Sequence, residues 1–391
     1  MKKRILFVDD ETLVLDGLRR SLRPMRGEWE MDFSESGEAA KEQMTFAQYD
    51  VVVTDMLMRG IDGAELLQYV RDRSPRTIRL VLSGRWEEDF AMKCVGVAHR
   101  YLSKPCDAST LRSTVANLAT LGSSELSDRI MELVAQSEKL PSVPSLYTRI
   151  VSLLRNGDTQ MDEVGAIIAS DPAMTAKILK VVNSSFFGLA HEISDPTEAV
   201  SHLGVSTLQA LILATGVFSQ FNVPVAGNFS VAASAERAQR VGSAARAIAR
   251  AERAPKTLAD DSLFAGMLHD IGKLILATNL PRDFEQIGAR RGHAALTVER
   301  EVFGATHAEV GGYLLGLWGL PAQVVDAVNF HHTPSLSPER EFSPLTAIHI
   351  ADSLIAGRED PASESTLDME YLGALGLADH LPEWRSIIAD L

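Results

Sequence analysis

Cysteine is nearly absent. The 391 residues contain two, Cys94 and Cys106, and their spacing forms neither a disulfide framework nor a zinc motif, so both are expected to pack as small hydrophobes in a reduced compartment. Positive charge is also short: 38 Lys and Arg stand against 52 Asp and Glu, a net charge of -14 with a pI near 5.2. Such a surface repels phosphate backbones and anionic membranes, and no basic terminal module is present, so nucleic acid and membrane are excluded as direct partners. Long apolar runs are missing too. The most apolar stretch, Leu208 to Phe218, is too short to span a bilayer. The opening MKKRILFVDD has only a short apolar run before two aspartates, which predicts a first strand and not a signal peptide. There is no internal repeat. These absences predict a soluble cytoplasmic protein of two or three compact units.

What is present begins with a rhythm. Strand-like apolar runs at Arg4 to Val8, Met31 to Ser34, Val51 to Thr54, Ile78 to Leu82 and Arg100 to Leu102 alternate with amphipathic segments of helical length. That alternation predicts a parallel sheet covered by helices. Chemistry-bearing residues follow the strands: Asp9 and Asp10 the first, Asp55 the third, Ser83 the fourth and Lys104 the fifth. Open α/β sheets gather such residues at one carboxyl edge. Grouped carboxylates select a hard divalent cation, and Mg²⁺ is the default where phosphate is the substrate. Lys104 and Ser83 would supply an ammonium and a hydroxyl to the arriving phosphoryl oxygens.

The set Asp9, Asp10, Asp55, Ser83 and Lys104-Pro105 resembles that of a two-component response-regulator receiver domain across nearly all of residues 1–121. The resemblance implies a flavodoxin-like (βα)5 fold, Asp55 as phosphoacceptor, and Mg²⁺ held by Asp10 directly, by Asp9 through water, by Asp55 and by the backbone carbonyl of Leu57. It implies Tyr101 as the aromatic switch residue and a sensor histidine kinase or phosphotransfer protein as donor. Arg59 stands where the family usually has proline, which should loosen the loop after Asp55.

From Glu125 onward the strand signal gives way to helical periodicity, predicting an all-α second half. One helix is expected over Asp261 to Thr278, carrying His269, Asp270 and Lys273. His307, His331, His332 and Asp352 follow on later segments. Adjacent His and Asp, joined by imidazoles and a carboxylate from other helices, could hold divalent metal and activate water against a phosphodiester, with Lys273 neutralising phosphate. The alternative is a buried stripe of Leu263, Met267, Leu268, Ile271 and Leu274, with His269 and Asp270 hydrogen-bonded to neighbouring helices.

The run from LPSVPSL at Leu140 through IIASDPAMTAKILKVVNSSFFGL, AVSHLGV and HDIGK resembles the HDOD domain, a relative of HD-type phosphohydrolases. The HD hydrolases carry a histidine on the preceding helix where this sequence places Arg237, a permanent cation with no lone pair for a metal. TPSLSP after His332 also lacks the Gly-Tyr-Pro signature of the cyclic di-GMP phosphodiesterases. Arg237 is expected to pair with Asp270 or to receive an anion such as a nucleotide phosphate.

The layout expected is a receiver at 1–121, a linker at 122–130, an HDOD domain at 131–335 and a helical extension at 336–391 packed on it. Two functions stay open. One is a response regulator whose vestigial HD site, with no metal cofactor assigned to it, acts by protein interaction or ligand sensing on a downstream signalling protein, with a receiver homodimer as one form of the switch. The other is a receiver-gated, metal-dependent phosphodiesterase.

Overall fold

The computed structural model describes residues 2–83, 97–104, 108–121, 161–169, 196–219, 229–288, 290, 292–318, 320–359 and 366–391, together with the single positions 130, 147, 150, 153, 175 and 178. The chain divides into two compact units, Met1–Leu140 with Leu314–Leu320, and Pro141–Tyr313 with Pro321–Leu391. The expected linker at 122–130, apart from Ile130, and most of the motif run that begins at Leu140 lie outside the described residues.

The first unit is built on five strands, β1 (Lys3–Val8), β2 (Trp29–Ser34), β3 (Val51–Asp55), β4 (Ile78–Ser83) and β5 (Arg100–Ser103), in the order β2-β1-β3-β4-β5. Every pairing is parallel, with Ile5 opposite Val51, Asp55 opposite Leu82 and Ser83 opposite Ser103. β3 is buried at all five positions, as an apolar run in a parallel sheet covered on both faces should be. Right-handed crossovers place the helix after β1 on one face and those after β2 and β3 on the other. The helices are α1 (Thr12–Ser21), α2 (Gly37–Phe46), α3 (Gly63–Arg73) and α4 (Ala108–Leu121). Local chemistry starts two of them: Ser36 Oγ accepts from the Ala39 amide, and an Asp62 oxygen from the Glu65 amide at 2.8 Å.

The described part of the second unit is helical, as expected. Its helices are α5 (Met161–Ala169), α6 (Pro196–Leu203), α7 (Val205–Ser219), α8 (Val231–Ala251), α9 (Lys256–Leu268), α10 (Ile271–Asn279), α11 (Pro281–Phe284), α12 (Gly292–Phe303), α13 (His307–Trp318, counted here as far as Tyr313), α14 (Ala322–Phe330), α15 (Pro344–Glu359), α16 (Met369–Ala374) and α17 (Leu381–Ala389). α9 packs against α7, α8, α14 and α15, while α17 docks on α8 and α15. The docking is anchored by Trp384, fully buried, whose Nε1 donates to Glu252 at 2.8 Å.

One expectation is corrected. The single helix over 261–278 is two, broken at His269-Asp270, where Asp270 adopts φ -98° and ψ 11°. Neighbours on a continuous helix diverge by about 100°. The break lets both side chains enter the same buried space. Among the described residues no helix is long and apolar enough to cross a membrane.

Candidate functional site

At the carboxyl edge of the sheet, β1 and β3 deliver Asp9 and Asp55, both buried. Lys104, just past β5, donates from Nζ to Asp55 Oδ1 at 2.5 Å and to Asp9 Oδ2 at 2.6 Å. Burial works against its charge, but the two carboxylates outweigh it and hold Lys104 above the usual lysine value. Asp55 Oδ2 accepts from the Leu57 amide at 2.9 Å, which aims the carboxylate outward along the edge. Gly63 permits this packing. A Cβ there would overlap the Asp55 carbonyl.

Asp10 meets the loop after β3, where its Oδ2 accepts from the Arg59 amide at 3.2 Å. Proline at 59 would have no such donor. The departure from the family pattern therefore gives the loop a tie to Asp10, against the expected loosening. A second tie comes from Glu38 on α2, which accepts from the Ile61 amide at 3.0 Å. The donors gathered here are carboxylate oxygens converging on one edge, the set a hard divalent cation takes. Ser83 and Tyr101 occupy the expected strand positions, with Tyr101 opposite Val81. Their side chains, and Pro105, lie outside the described residues.

In the helical unit a second group of residues assembles from five helices and their ends. His269 and Asp270 come from the α9 to α10 break, His307 opens α13, His331 and His332 follow α14, and Asp352 lies on α15. All are buried except the partly buried His332. The segment after residue 335 is thus part of this group through Asp352. Asp270 Oδ1 lies 3.2 Å from His307 Nε2 and 4.0 Å from His331 Nε2. His332 Nε2 is 3.2 Å from His307 Nε2. His269 Nε2 is 3.4 Å from Asp352 Oδ1 and 3.5 Å from Asp270 Oδ2. Lys273 donates to Asp270 Oδ2 at 2.9 Å, as the sequence spacing suggests.

The rings are held from behind. His269 Nδ1 is 2.7 Å from the Gly266 carbonyl, His331 Nδ1 is 2.7 Å from the Val328 carbonyl, and His307 Nδ1 is 2.7 Å from a Glu299 oxygen. Gly272 lets α10 reach this place, since a Cβ there would overlap the His307 carbonyl. The buried stripe Leu263, Met267, Leu268, Ile271 and Leu274 is also present. The stripe packs beside the convergent polar side chains of His269 and Asp270.

Arg237 on α8 pairs with Asp352 Oδ1 at 2.6 Å and with Glu359, where a pairing with Asp270 was expected. Glu359 also binds Arg240 at 2.9 Å. Burial opposes ionisation of Asp352, yet Arg237 and His269 hold it well below the carboxylate range. Asp270 is likewise held well below against its burial, by His269, Lys273 and His307. Burial, with His269 and His307 adding to it, pushes His331 down to about 3. Burial and His331 push His332 well below its usual value. His307 goes the other way: Glu299 overcomes the cost of burial and raises it.

Glu299 and Glu359 were not among the sequence candidates. Glu299 had a local signal, an acid at four-residue spacing between Ala295 and Phe303 on the buried face of α12. Glu359 had none.

Comparison with known proteins agrees with this geometry. The model of the response regulator receiver domain matches residues 5–116, and that of the HDOD domain matches 140–334. The chain is a receiver and HDOD response regulator. An uncharacterised protein of Treponema pallidum (strain Nichols) is 30% identical over 217 residues, covering 53% of this chain and 40% of that protein. The uncharacterised transcriptional regulatory protein YesN of Bacillus subtilis (strain 168) is 29% identical over 237 residues, covering 51% of this chain and 63% of that protein. The chain thus spans less than two thirds of each of these relatives. Among solved structures, an HDOD domain protein of unknown function from Geobacter sulfurreducens superposes with a TM-score of 0.54 at 22% identity, over 68% of this chain and 92% of that one, a likeness of fold. Receiver domains generally bind Mg²⁺ and take phosphate from a kinase or phosphotransfer partner, so this receiver and HDOD chain belongs to two-component signalling.

Proposed function

We propose that this cytoplasmic response regulator is phosphorylated on Asp55 by the phosphohistidine of a sensor kinase or phosphotransfer protein, and that its HDOD unit is a non-hydrolytic output acting on a downstream signalling protein. The observation that supports this most is Lys104 bridging Asp9 and Asp55 at 2.6 and 2.5 Å. In the transfer, an Asp55 oxygen forms the new P–O bond as the donor's P–N bond breaks. Lys104 is already in place for the charge that collects on the phosphoryl oxygens, so little reorganisation is required. Asp10, Asp9, Asp55 and the Leu57 carbonyl would hold Mg²⁺, which supplies charge neutralisation where the phosphoryl group arrives.

On a neutral hydroxyl residue a phosphoryl group adds roughly -1.5 to -2 charges, and on Asp55 the gain is smaller by the charge of the carboxylate that is esterified. Hydrogen bonds to charged groups contribute about 1.5–3 kcal/mol each. Two or three of them, from Lys104, Ser83 and a backbone amide, approach the roughly 5.5 kcal/mol that moves an equilibrium from 1:99 to 99:1. The readout proposed is a change in exposure of the HDOD unit or in receiver self-association.

The test is phosphoryl incorporation from a small-molecule donor, followed by intact mass and by hydrogen exchange over the helical unit. Incorporation and an exchange change in the natural chain, both lost in Asp55→Asn, are expected. Incorporation that persists in Asp55→Asn refutes the assignment.

The second reading, a gated phosphodiesterase, draws support from the convergence of His269, Asp270, His307, His331, His332 and Asp352. Against it stands Arg237, which occupies Asp352 with a permanent cation.

A further inference from the structure

Three buried side-chain atoms in the helical cluster have no hydrogen-bond partner: His269 Nε2, Asp270 Oδ1 and His331 Nε2. Native interiors seldom leave such atoms unpaired. Their tautomers are fixed by what lies behind them. A carbonyl oxygen only accepts, so the Val328 and Gly266 carbonyls require the proton on Nδ1 of His331 and His269, and in the neutral ring each Nε2 then carries a lone pair. Glu299 does the same for neutral His307, in the carboxylate–imidazole arrangement that backs metal ligands.

Spacing then separates two positions. Asp270, His307, His331 and His332 each offer one donor atom, all within 4.8 Å of one another. A tetrahedral ion with bonds of about 2.0–2.1 Å sets its ligands about 3.3–3.4 Å apart. The separations here are 3.2 Å for Asp270 to His307, 3.2 Å for His307 to His332 and 4.0 Å for Asp270 to His331. The other position, His269, His331 and Asp352, draws on the same His331. It also faces the guanidinium of Arg237, 2.6 Å from Asp352 Oδ1, which repels a divalent ion and offers it no lone pair.

We propose that the helical unit holds one zinc-class divalent ion between Asp270, His307, His331 and His332, and that Arg237 keeps a second ion out of the His269 and Asp352 position. Three imidazoles and one carboxylate suit zinc. Four protein donors close the coordination sphere, as in structural sites, whereas catalytic ones keep a position for water. The ion therefore fixes α10, α13 and the end of α14 to each other. This deepens the reading of the HDOD unit as non-hydrolytic and rests on it for the lack of turnover. The ion count stands apart from it.

The experiment uses the full chain carrying Asp10→Ala, which removes an acidic ligand from the receiver edge. Protein stripped with chelator is reloaded with Zn²⁺, desalted and analysed for metal. A Co²⁺-loaded sample is read by visible absorption, and circular dichroism checks each variant for folding. One zinc per chain is expected, retained in His269→Ala and lost in His332→Ala. Arg237→His, which exchanges the cation for an imidazole beside Asp352, should raise the count to two. No zinc in the folded parent, two in the parent, loss in a folded His269→Ala or a count still at one in Arg237→His would each overturn the proposal. Phosphodiester hydrolysis by the zinc-loaded parent would refute the non-hydrolytic reading and the closed sphere while leaving the count intact.

Discussion

Replacing Arg237 by alanine tests the electrostatics of the helical site in one step. Its guanidinium binds Asp352 and Glu359, and the side chains of Arg237, Asp352 and Glu359 are 22%, 8% and 26% exposed. Removing one partner of a fully buried pair costs about 3–5 kcal/mol, because a charge is left behind without compensation. Glu359 escapes much of that cost, being partly exposed and still paired with Arg240 at 2.9 Å. Asp352 does not, since its remaining neighbour at Oδ1 is His269 Nε2 at 3.4 Å. The expected loss is about 2–3 kcal/mol after discounting for that exposure. At about 2–4 °C per kcal/mol for a unit of this size, the helical transition should fall by about 4–12 °C. Urea and thermal unfolding in chelator, followed by far-ultraviolet circular dichroism, measure it.

The pH dependence adds a sign. Asp352 is held below its unfolded value, so its contribution is complete above that value, near pH 4, and disappears as pH falls through the folded one. The gap between natural and variant chains should therefore be full at neutral pH and shrink in acid. A loss within about 0.5 kcal/mol, the size of an ordinary surface change, would refute the reasoning. So would a gap that is unchanged in acid.

Other consequences can be checked separately. Lys104→Ala leaves Asp9 and Asp55 facing each other without their shared ammonium, and should cost the receiver about 1–3 kcal/mol. Millimolar Mg²⁺ should recover much of that loss in thermal unfolding, and indifference to Mg²⁺ would count against the site. Gly272→Ala pushes a methyl into the His307 carbonyl, so a loss of about 1–3 kcal/mol is expected, and unaltered stability would show that α10 can move aside. His380 is raised above its usual value by its hydrogen bond to Glu252. That contribution is complete below about pH 6.5 and is lost as pH rises through the folded value, so the protection of Leu381–Ala389 against hydrogen exchange, taken relative to the intrinsic base-catalysed rate, should fall at alkaline pH. A flat profile would remove His380 from the docking of α17.

The middle of the sheet was legible because parallel strands buried on both faces read as near-continuous apolar runs, as β3 does, whereas the edge strand β2 carries an exposed Glu30 and a half-buried Asp32 and reads less clearly. Asp9, Asp10, Asp55 and Lys104 were legible for the same reason. A residue directly after a buried strand has only the sheet edge to occupy. The break at His269-Asp270 was hidden, because Leu263, Met267, Leu268, Ile271 and Leu274 keep their apolar spacing through it. The partner of Arg237 was hidden by distance. Glu359 lies 122 residues away, and nothing near Arg237 distinguishes it from Asp270 as an acceptor. The tie from Arg59 to Asp10 escaped because it is made by a backbone amide. Side-chain chemistry alone predicts only that a proline is missing.

The two sites differ in donor hardness, and that difference divides their roles. The receiver edge offers carboxylate oxygens beside an ammonium, a setting for a hard, weakly held ion that keeps waters and gives way to phosphate chemistry. The helical cluster offers imidazole nitrogens with their lone pairs already fixed inward by Gly266, Val328 and Glu299, a setting for a borderline metal that would be taken up on folding and retained. Magnesium, which prefers oxygen donors and keeps its waters, suits the second poorly. On the proposed reading the helical ion is then a constant of the fold, and the variable is the charge on Asp55. A signal from that charge acts on what a rigid helical unit touches, since a closed coordination sphere has no open position at which it could change the chemistry.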